Sequence, residues 1–123
     1  MTSAMQLIQQ AKTKIRCIDR TEAKELMKHG DITLLDVREK VENDAGHIEG
    51  SEHISRGVLE MRIENNPAFT DRDKAILVYC KSGGRSALAA ATLQEMGFSN
   101  VYSLEGGFDA WSKDQAIPEG IVD

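Results

Sequence analysis

The chain has 123 residues, a formal net charge of -5 and two cysteines, with 41% hydrophobic and 28% charged residues. That length supports one hydrophobic core and hence one domain. The acidic balance argues against nonspecific binding of nucleic acid, and no apolar run approaches the ~20 residues that cross a bilayer.

Residues 1–18 carry Lys12, Lys14 and Arg16 but no acid, and Met5, Ile8 and Ala11 fall on one helical face. The pattern fits an extra helix over 1–14, preferred here, and weakly imitates an organellar presequence. No continuous apolar stretch near the N-terminus suggests secretion, and a cytoplasmic location is expected. The main domain is placed at 15–123. Lys14 to Ile18 reads as a short strand containing Cys17. Asp19-Arg20-Thr21-Glu22 has capping-box spacing and opens a helix that should end near Gly30. Ile32 to Val37 is the next strand, followed by a short helix from Glu39 to Ala45 that Gly46 stops. A short strand over Glu52 to Ile54 precedes a helix suggested by Val58, Leu59, Met61 and Ile63, which must end before Pro67. Ala75-Ile76-Leu77-Val78-Tyr79 is a buried strand, and a helix runs from Arg85 to Met96. Gly97 is its expected C′ residue, with Phe98 folding back on the last turn. Val101 to Leu104 is the last strand and Phe108 to Trp111 lies in a closing helix. Strands alternating with helices imply a parallel sheet covered on both faces, a three-layer α/β/α domain. No internal repeat or second domain is visible.

The most informative segment is Tyr79-Cys80-Lys81-Ser82-Gly83-Gly84-Arg85-Ser86. It puts a thiol where a strand opens into a helix. The thiolate, not the thiol, is the nucleophile. A helix N-terminus leaves N–H groups without partners, and Gly83 and Gly84 allow the backbone to curl into a nest of donors. The helix end alone supplies roughly 0.3–1 kcal/mol, or ~2 in a good geometry. A unit charge at ~4 Å supplies on the order of 4 kcal/mol at an effective dielectric near 20, so Lys81 and Arg85 are expected to do most to favour the anion. An inert core cysteine would need neither the glycines nor the cations. The stretch does not match the G-x-x-x-x-G-K-[ST] phosphate loop. Two cysteines form no disulfide framework. A bond between Cys17 and Cys80 would silence the site, which favours a reducing compartment; Cys17 is read as structural.

Four segments together resemble the rhodanese superfamily, and in particular its small single-domain sulfurtransferases. They are Leu34-Leu35-Asp36-Val37-Arg38, Gly46-His47-Ile48-Glu49-Gly50, the loop from Cys80 to Arg85, and Leu104-Glu105-Gly106-Gly107-Phe108-Asp109-Ala110-Trp111. The resemblance spans roughly Ile15 to Ser112 and implies the same α/β/α architecture around a mainly parallel sheet. It implies that Cys80 takes a sulfane sulfur from thiosulfate or a similar small anion as a persulfide and passes it to cyanide or a thiol. The backbone N–H groups of Lys81, Ser82, Gly83, Gly84, Arg85 and Ser86 would cradle the sulfur. Arg85, with Lys81, would attract the donor, and Asp36 and Arg38 would support the loop. No cofactor and no metal are expected. Two other readings stay open: a relay that receives persulfide from a protein desulfurase, and a non-catalytic interaction module, which the intact Cys80 and cations disfavour.

Related phosphatases and arsenate reductases place five residues between cysteine and arginine, whereas four separate Cys80 from Arg85. One residue adds at most ~3.6 Å of contour, so this bowl suits one extra sulfur better than a phosphate. His47 is read as a turn residue, His29 and His53 are scattered without zinc spacing, Trp111 is taken as core or rim packing, and Arg56 is either near the pocket or solvated. The triple alanine 89–91 suggests close helix packing. Asn43, Glu49 and Ser51 depart from the family pattern, where an aromatic, a proline and an alanine are common, and leave the packing of that turn open.

Overall fold

A computed structural model describes residues 1–115, with side chains through Lys113; the end of the expected main domain, 116–123, lies outside the described residues. Five strands, β1 (Arg16–Ile18), β2 (Ile32–Asp36), β3 (Glu52–His53), β4 (Ala75–Tyr79) and β5 (Val101–Leu104), form one parallel sheet in the order β1-β5-β4-β2-β3. Six α-helices accompany them: α1 (Ala4–Lys14), α2 (Arg20–His29), α3 (Lys40–Ala45), α4 (Leu59–Ile63), α5 (Gly84–Glu95) and α6 (Gly107–Gln115). Two short 3-10 turns, Arg56–Val58 and Pro67–Phe69, flank α4. The expected order of elements is observed, with ends displaced by one to three residues. The strand expected over 52–54 closes at His53, and the helix expected across 58–63 is split, its first turn being 3-10.

Local chemistry explains the boundaries. Ser3 and Gln6 form a capping box on α1, and Asp19 and Glu22 form another on α2, each satisfying two otherwise orphaned donors. Gly97 closes α5 at φ 95°, and the Phe98 N–H donates to Leu93 O at 3.0 Å, which folds the buried Phe98 onto the last turn.

Alternation along β4 builds the two cores, because successive strand residues face opposite sides. Ile76, Val78 and Cys80 face α4 and α5, among Leu59, Ile63, Ala89, Ala90, Leu93 and Phe98. Leu77 and Tyr79 face the other side, among Ala23 of α2, Ile48, Leu104 and Trp111 of α6. Trp111 is therefore core. In the alanine run, Ala89 and Ala90 are buried, and Ala91 lines a groove between α5 and α1. The helix α1 packs along α5, with Ile8 Cδ1 3.1 Å from where a Cβ on Gly84 would lie.

The strand order puts three loops side by side at the carboxyl ends of β2, β4 and β5, where open parallel sheets hold their ligands. The loop after β4 carries Cys80. The loops on either side lead into α3 and α6.

Candidate active site

Cys80 directly follows β4 and is 1% exposed. Its Sγ accepts the Gly83 N–H at 3.1 Å and lies 3.5 Å from Ser86 Oγ. Gly83 is the N-cap of α5 with φ 117° and ψ -9°. A Cβ there would find only ordinary contacts, the nearest at 3.7 Å, so the glycine is needed for its left-handed backbone, which turns the amide inward onto the sulfur. The sulfur is thus covered from solvent, and of the amides 81–86 expected to cradle it, Gly83 N–H is the one at hydrogen-bond distance.

Beneath the sulfur lies a buried pair of hydroxyls. Ser86 Oγ sits 3.2 Å from Gly83 O and 2.8 Å from Ser103 Oγ of β5. A buried hydroxyl hydrogen needs an acceptor, and Ser86 Oγ is the one beside Ser103, so Ser103 donates to Ser86. That leaves the Ser86 hydrogen for one of two acceptors. When Cys80 is a thiol donating its S–H to Ser86 Oγ, Ser86 donates to Gly83 O. When Cys80 is a thiolate, the same hydroxyl turns and donates to the sulfur. Ser103 was absent from the sequence-based site. Its place in β5 opposite Val78 brings it here, and no local motif announces it.

The other side of the loop is fixed from α6. The N–H groups of Phe108 and Asp109 donate to Cys80 O at 2.8 Å and Lys81 O at 3.0 Å. A Cβ on Gly107 would lie 2.5 Å from both carbonyl oxygens, so this close approach of two backbones requires the glycine.

The structure parts the two loop cations. Lys81 Nζ is 3.3 Å from Asp109 Oδ2, with side chains 62% and 49% exposed. Arg85 donates from both terminal nitrogens to Glu42 of α3, at 2.7 and 3.0 Å, with side chains 36% and 25% exposed. The sequence reading expected Arg85, with Lys81, to attract an anionic donor; each has a carboxylate partner that the sequence reading did not include. The Arg85 fork holds Glu42 down to about 2, its largest cause, with the Glu39 N–H assisting against partial burial. In return Glu42 raises Arg85 above its ordinary value, and the charge of Cys80 adds to this. Arg85 lies on the first turn of α5, one residue before Ser86, whose hydroxyl is 3.5 Å from the sulfur. Glu42 is the main residue missed from sequence. Its visible signal was its place three residues after Glu39, a capping-box spacing, and nothing local pointed to Arg85.

Asp36 and Arg38 brace this wall from below. Asp36 is buried and accepts from Arg38 N, Nε and Nη2 at 2.9, 3.0 and 2.8 Å, and from Asn43 Nδ2 at 2.9 Å. Burial pushes its carboxyl up, but the donors from Arg38 and Asn43 outweigh burial and leave it below the ordinary value. Arg38 also donates to Gly46 O at 2.6 Å and lies over the Phe108 ring at 4.5 Å. These bonds run to α3 and its closing turn, so Asp36 and Arg38 fix the helix that carries Glu42.

Two of the three departures in the neighbouring turn, Asn43 and Ser51, are absorbed by hydrogen bonds. Asn43 bonds Asp36. Ser51 Oγ lies 3.0 Å from the buried Tyr79 hydroxyl, which also accepts the Ile48 N–H at 3.0 Å. His47 Nδ1 lies 3.0 Å from Asn43 O, a turn contact, and His53 Nε2 lies 2.8 Å from Arg38 O. Among the described residues no cluster of His, Cys, Asp and Glu could hold a metal. Arg56 pairs with Glu60 and reaches Thr92, two turns along α5 from Arg85, so it lies away from the bowl. A cleft lined by Met27, His47, Ile48, Phe108, Trp111 and Ser112 opens nearby; it includes none of residues 80–86, and the chemistry places the site at the loop.

Cys17 lies on β1 opposite Ser103, which in turn lies opposite Val78. Two strand spacings separate Cys17 from β4, ~9.6 Å, and Cys80 lies two residues further along. A disulfide needs Cα atoms within ~7 Å, so these two cysteines cannot bond in this fold.

This arrangement has known counterparts. The sequence profile described as a rhodanese-like domain matches residues 19–114. The chain is 40% identical over 94 residues to the thiosulfate sulfurtransferase GlpE of Coxiella burnetii, covering 76% of this chain and 84% of that protein. A solved protein of unknown function from Rhodopseudomonas palustris, described as a possible tyrosine phosphatase, aligns with TM-score 0.85 and 35% identity over 96% of this chain and 94% of its own. The polysulfide-sulfur transferase homodimer of Wolinella succinogenes aligns with TM-score 0.73 and 35% identity over 88% of this chain and 80% of its own. With these matches covering the loop, the sheet and both flanking helices, the chain belongs to the rhodanese-like family, among its sulfurtransferases.

Proposed function

We infer that the protein is a thiosulfate sulfurtransferase in which Cys80 carries the sulfur. The observation that supports this most is the inward Gly83 N–H at 3.1 Å from Sγ at the N-terminus of α5, with the Ser86 hydroxyl 3.5 Å from the same sulfur. A backbone N–H held in place in this way stabilises a sulfur anion, and the Ser86 hydroxyl can turn to join it. The Cys80 thiolate attacks the outer sulfur of thiosulfate. The S–S bond breaks, its electron pair leaves with sulfite, and Cys80 becomes a persulfide anion. Cyanide or a thiolate then attacks the outer persulfide sulfur, and the Cys80 thiolate returns with the bonding pair. The attacking species is the Cys80 thiolate, whose charge the Gly83 N–H would stabilise. Since Sγ is covered at rest, capture of a donor includes an opening of the bowl.

The tyrosine phosphatase reading attached to one structural relative fits this chain less well. Four residues separate Cys80 from Arg85, and the loop 80–86 holds no acid to protonate a leaving oxygen. Sulfur transfer from thiosulfate to cyanide, followed as thiocyanate, tests the proposal. Turnover that disappears in Cys80→Ser supports it. Hydrolysis of an aryl phosphate with no thiocyanate formed would replace it.

A further inference from the structure

The acidic partner of Arg85 has a consequence for which donors the site accepts. Glu42 is not a loosely placed surface acid. It binds Arg85 through both oxygens, and Oε1 also accepts the Glu39 N–H at 2.8 Å. The helix that carries it is held by Asn43 on Asp36 and by Gly46 O on Arg38. With the carboxyl held down to about 2, the charge is present at every working pH. Glu39 contributes to the same field at Arg85. Lys81, the other loop cation, faces Asp109 in a solvated pair. A donor entering the bowl therefore meets a guanidinium whose charge is already balanced, with a fixed carboxylate on its far side.

We propose that Glu42 is a specificity-determining residue that sets the charge of the sulfur donor, favouring singly charged sulfane donors over dianions such as thiosulfate. This rests on Cys80 taking up sulfane sulfur and deepens that reading. Arg85 keeps the donor's oxygens oriented, because three of its five N–H donors remain beyond the two given to Glu42. Glu42 repels each additional negative charge the donor brings. The pair thus supplies geometry without supplying net attraction.

Methanethiosulfonate is a suitable probe beside thiosulfate. Both present a terminal sulfane sulfur on an oxidised sulfur. The Cys80 thiolate attacks that atom, the S–S bond breaks, and the pair leaves with methanesulfinate in one case and sulfite in the other. The two differ by one unit of charge. A single extra charge on a donor held beside the Arg85–Glu42 pair, at an effective dielectric between protein surface and water, corresponds to about five- to tenfold in rate. Cyanide is the acceptor for both donors.

In Glu42→Gln the capping acceptor of α3 and one bond to Arg85 can persist while the charge is gone. The kcat/KM ratio of thiosulfate to methanethiosulfonate is expected to rise about five- to tenfold over wild type, mostly through KM for thiosulfate. A residue that merely holds the fold together would lower both donors in parallel and leave the ratio unmoved. An unchanged or smaller ratio overturns the proposal. If Glu42→Gln does not fold, Glu42→Ala is read the same way, with the same expected rise. Wild type that transfers sulfur from neither donor defeats the sulfurtransferase reading itself, which separates that failure from this one.

Discussion

The two cysteines carry the same side chain in two settings. Cys17 lies half-buried on the edge strand β1, where burial pushes its thiol up, with Lys12 opposing and Glu105 adding to the rise. Cys80 is the more buried of the two, yet its sulfur receives the Gly83 N–H and has the Ser86 hydroxyl beside it. Access to solvent therefore does not single out the nucleophile here. What distinguishes Cys80 is its place just past the end of a central strand, where the Gly83 N–H at the head of α5 meets the sulfur, whereas Cys17 lies mid-strand and α2 begins beyond it at Arg20.

The contrast can be broken most completely by removing one thiol at a time. Cys80→Ser should abolish thiocyanate formation while leaving thermal unfolding cooperative, and Cys17→Ala should keep wild-type turnover. A large loss in Cys17→Ala would make β1 part of the chemistry. Arg85→Ala is expected to lower kcat/KM for thiosulfate by roughly 10- to 100-fold, the range for losing hydrogen bonds to a charged group, since it also leaves Glu42 facing the donor unpaired. Unchanged thiosulfate kinetics would remove Arg85 from the site. Ser103→Ala should slow alkylation of Cys80 by iodoacetamide at neutral pH about fivefold, the equivalent of one net hydrogen bond of ~1 kcal/mol. A rate equal to wild type would confine Ser103 to packing.

Smaller effects concern charge. Asp36 and Glu42 are both held below their ordinary values when folded. The unfolded chain then binds more protons as pH falls below the ordinary carboxylate range, so the stability from these groups is fully present above that range and is lost on acidification. For Glu42 the window runs from its ordinary 4.5 down to about 2. Glu42→Gln should accordingly show a shallower loss of thermal stability across this window. An identical acid limb would mean the Arg85 pair adds nothing to folding. Lys81→Ala should change thiosulfate kcat/KM least, within about twofold, because its pair with Asp109 is solvated and such pairs are worth ~0–1 kcal/mol.

The fold was legible because local signals agreed. The apolar run 75–79, the capping box from Asp19 to Glu22 and Gly97 with Phe98 each act within a few residues, and they place β4, α2 and α5. Cys80 and the glycines were legible for the same reason. Glu42 and Ser103 were not. Their partners lie 43 and 17 residues away in sequence, and only the parallel strand order brings α3 and β5 against the loop. The same limit hid the partners of the loop cations. The sequence shows Lys81 and Arg85 beside the thiol but not the acids that fold over them. Arg56 was ambiguous by sequence, and its bonds to Glu60 and Thr92 place it along α5 instead.

The central claim is that Cys80, and not Cys17, stores the transferred sulfur. Intact-mass measurement after incubation with thiosulfate and removal of excess donor tests it directly. Wild type and Cys17→Ala should each gain the mass of one sulfur atom, which cyanide then removes, and Cys80→Ser should gain none. A sulfur adduct on Cys80→Ser, or none on Cys17→Ala, would contradict it.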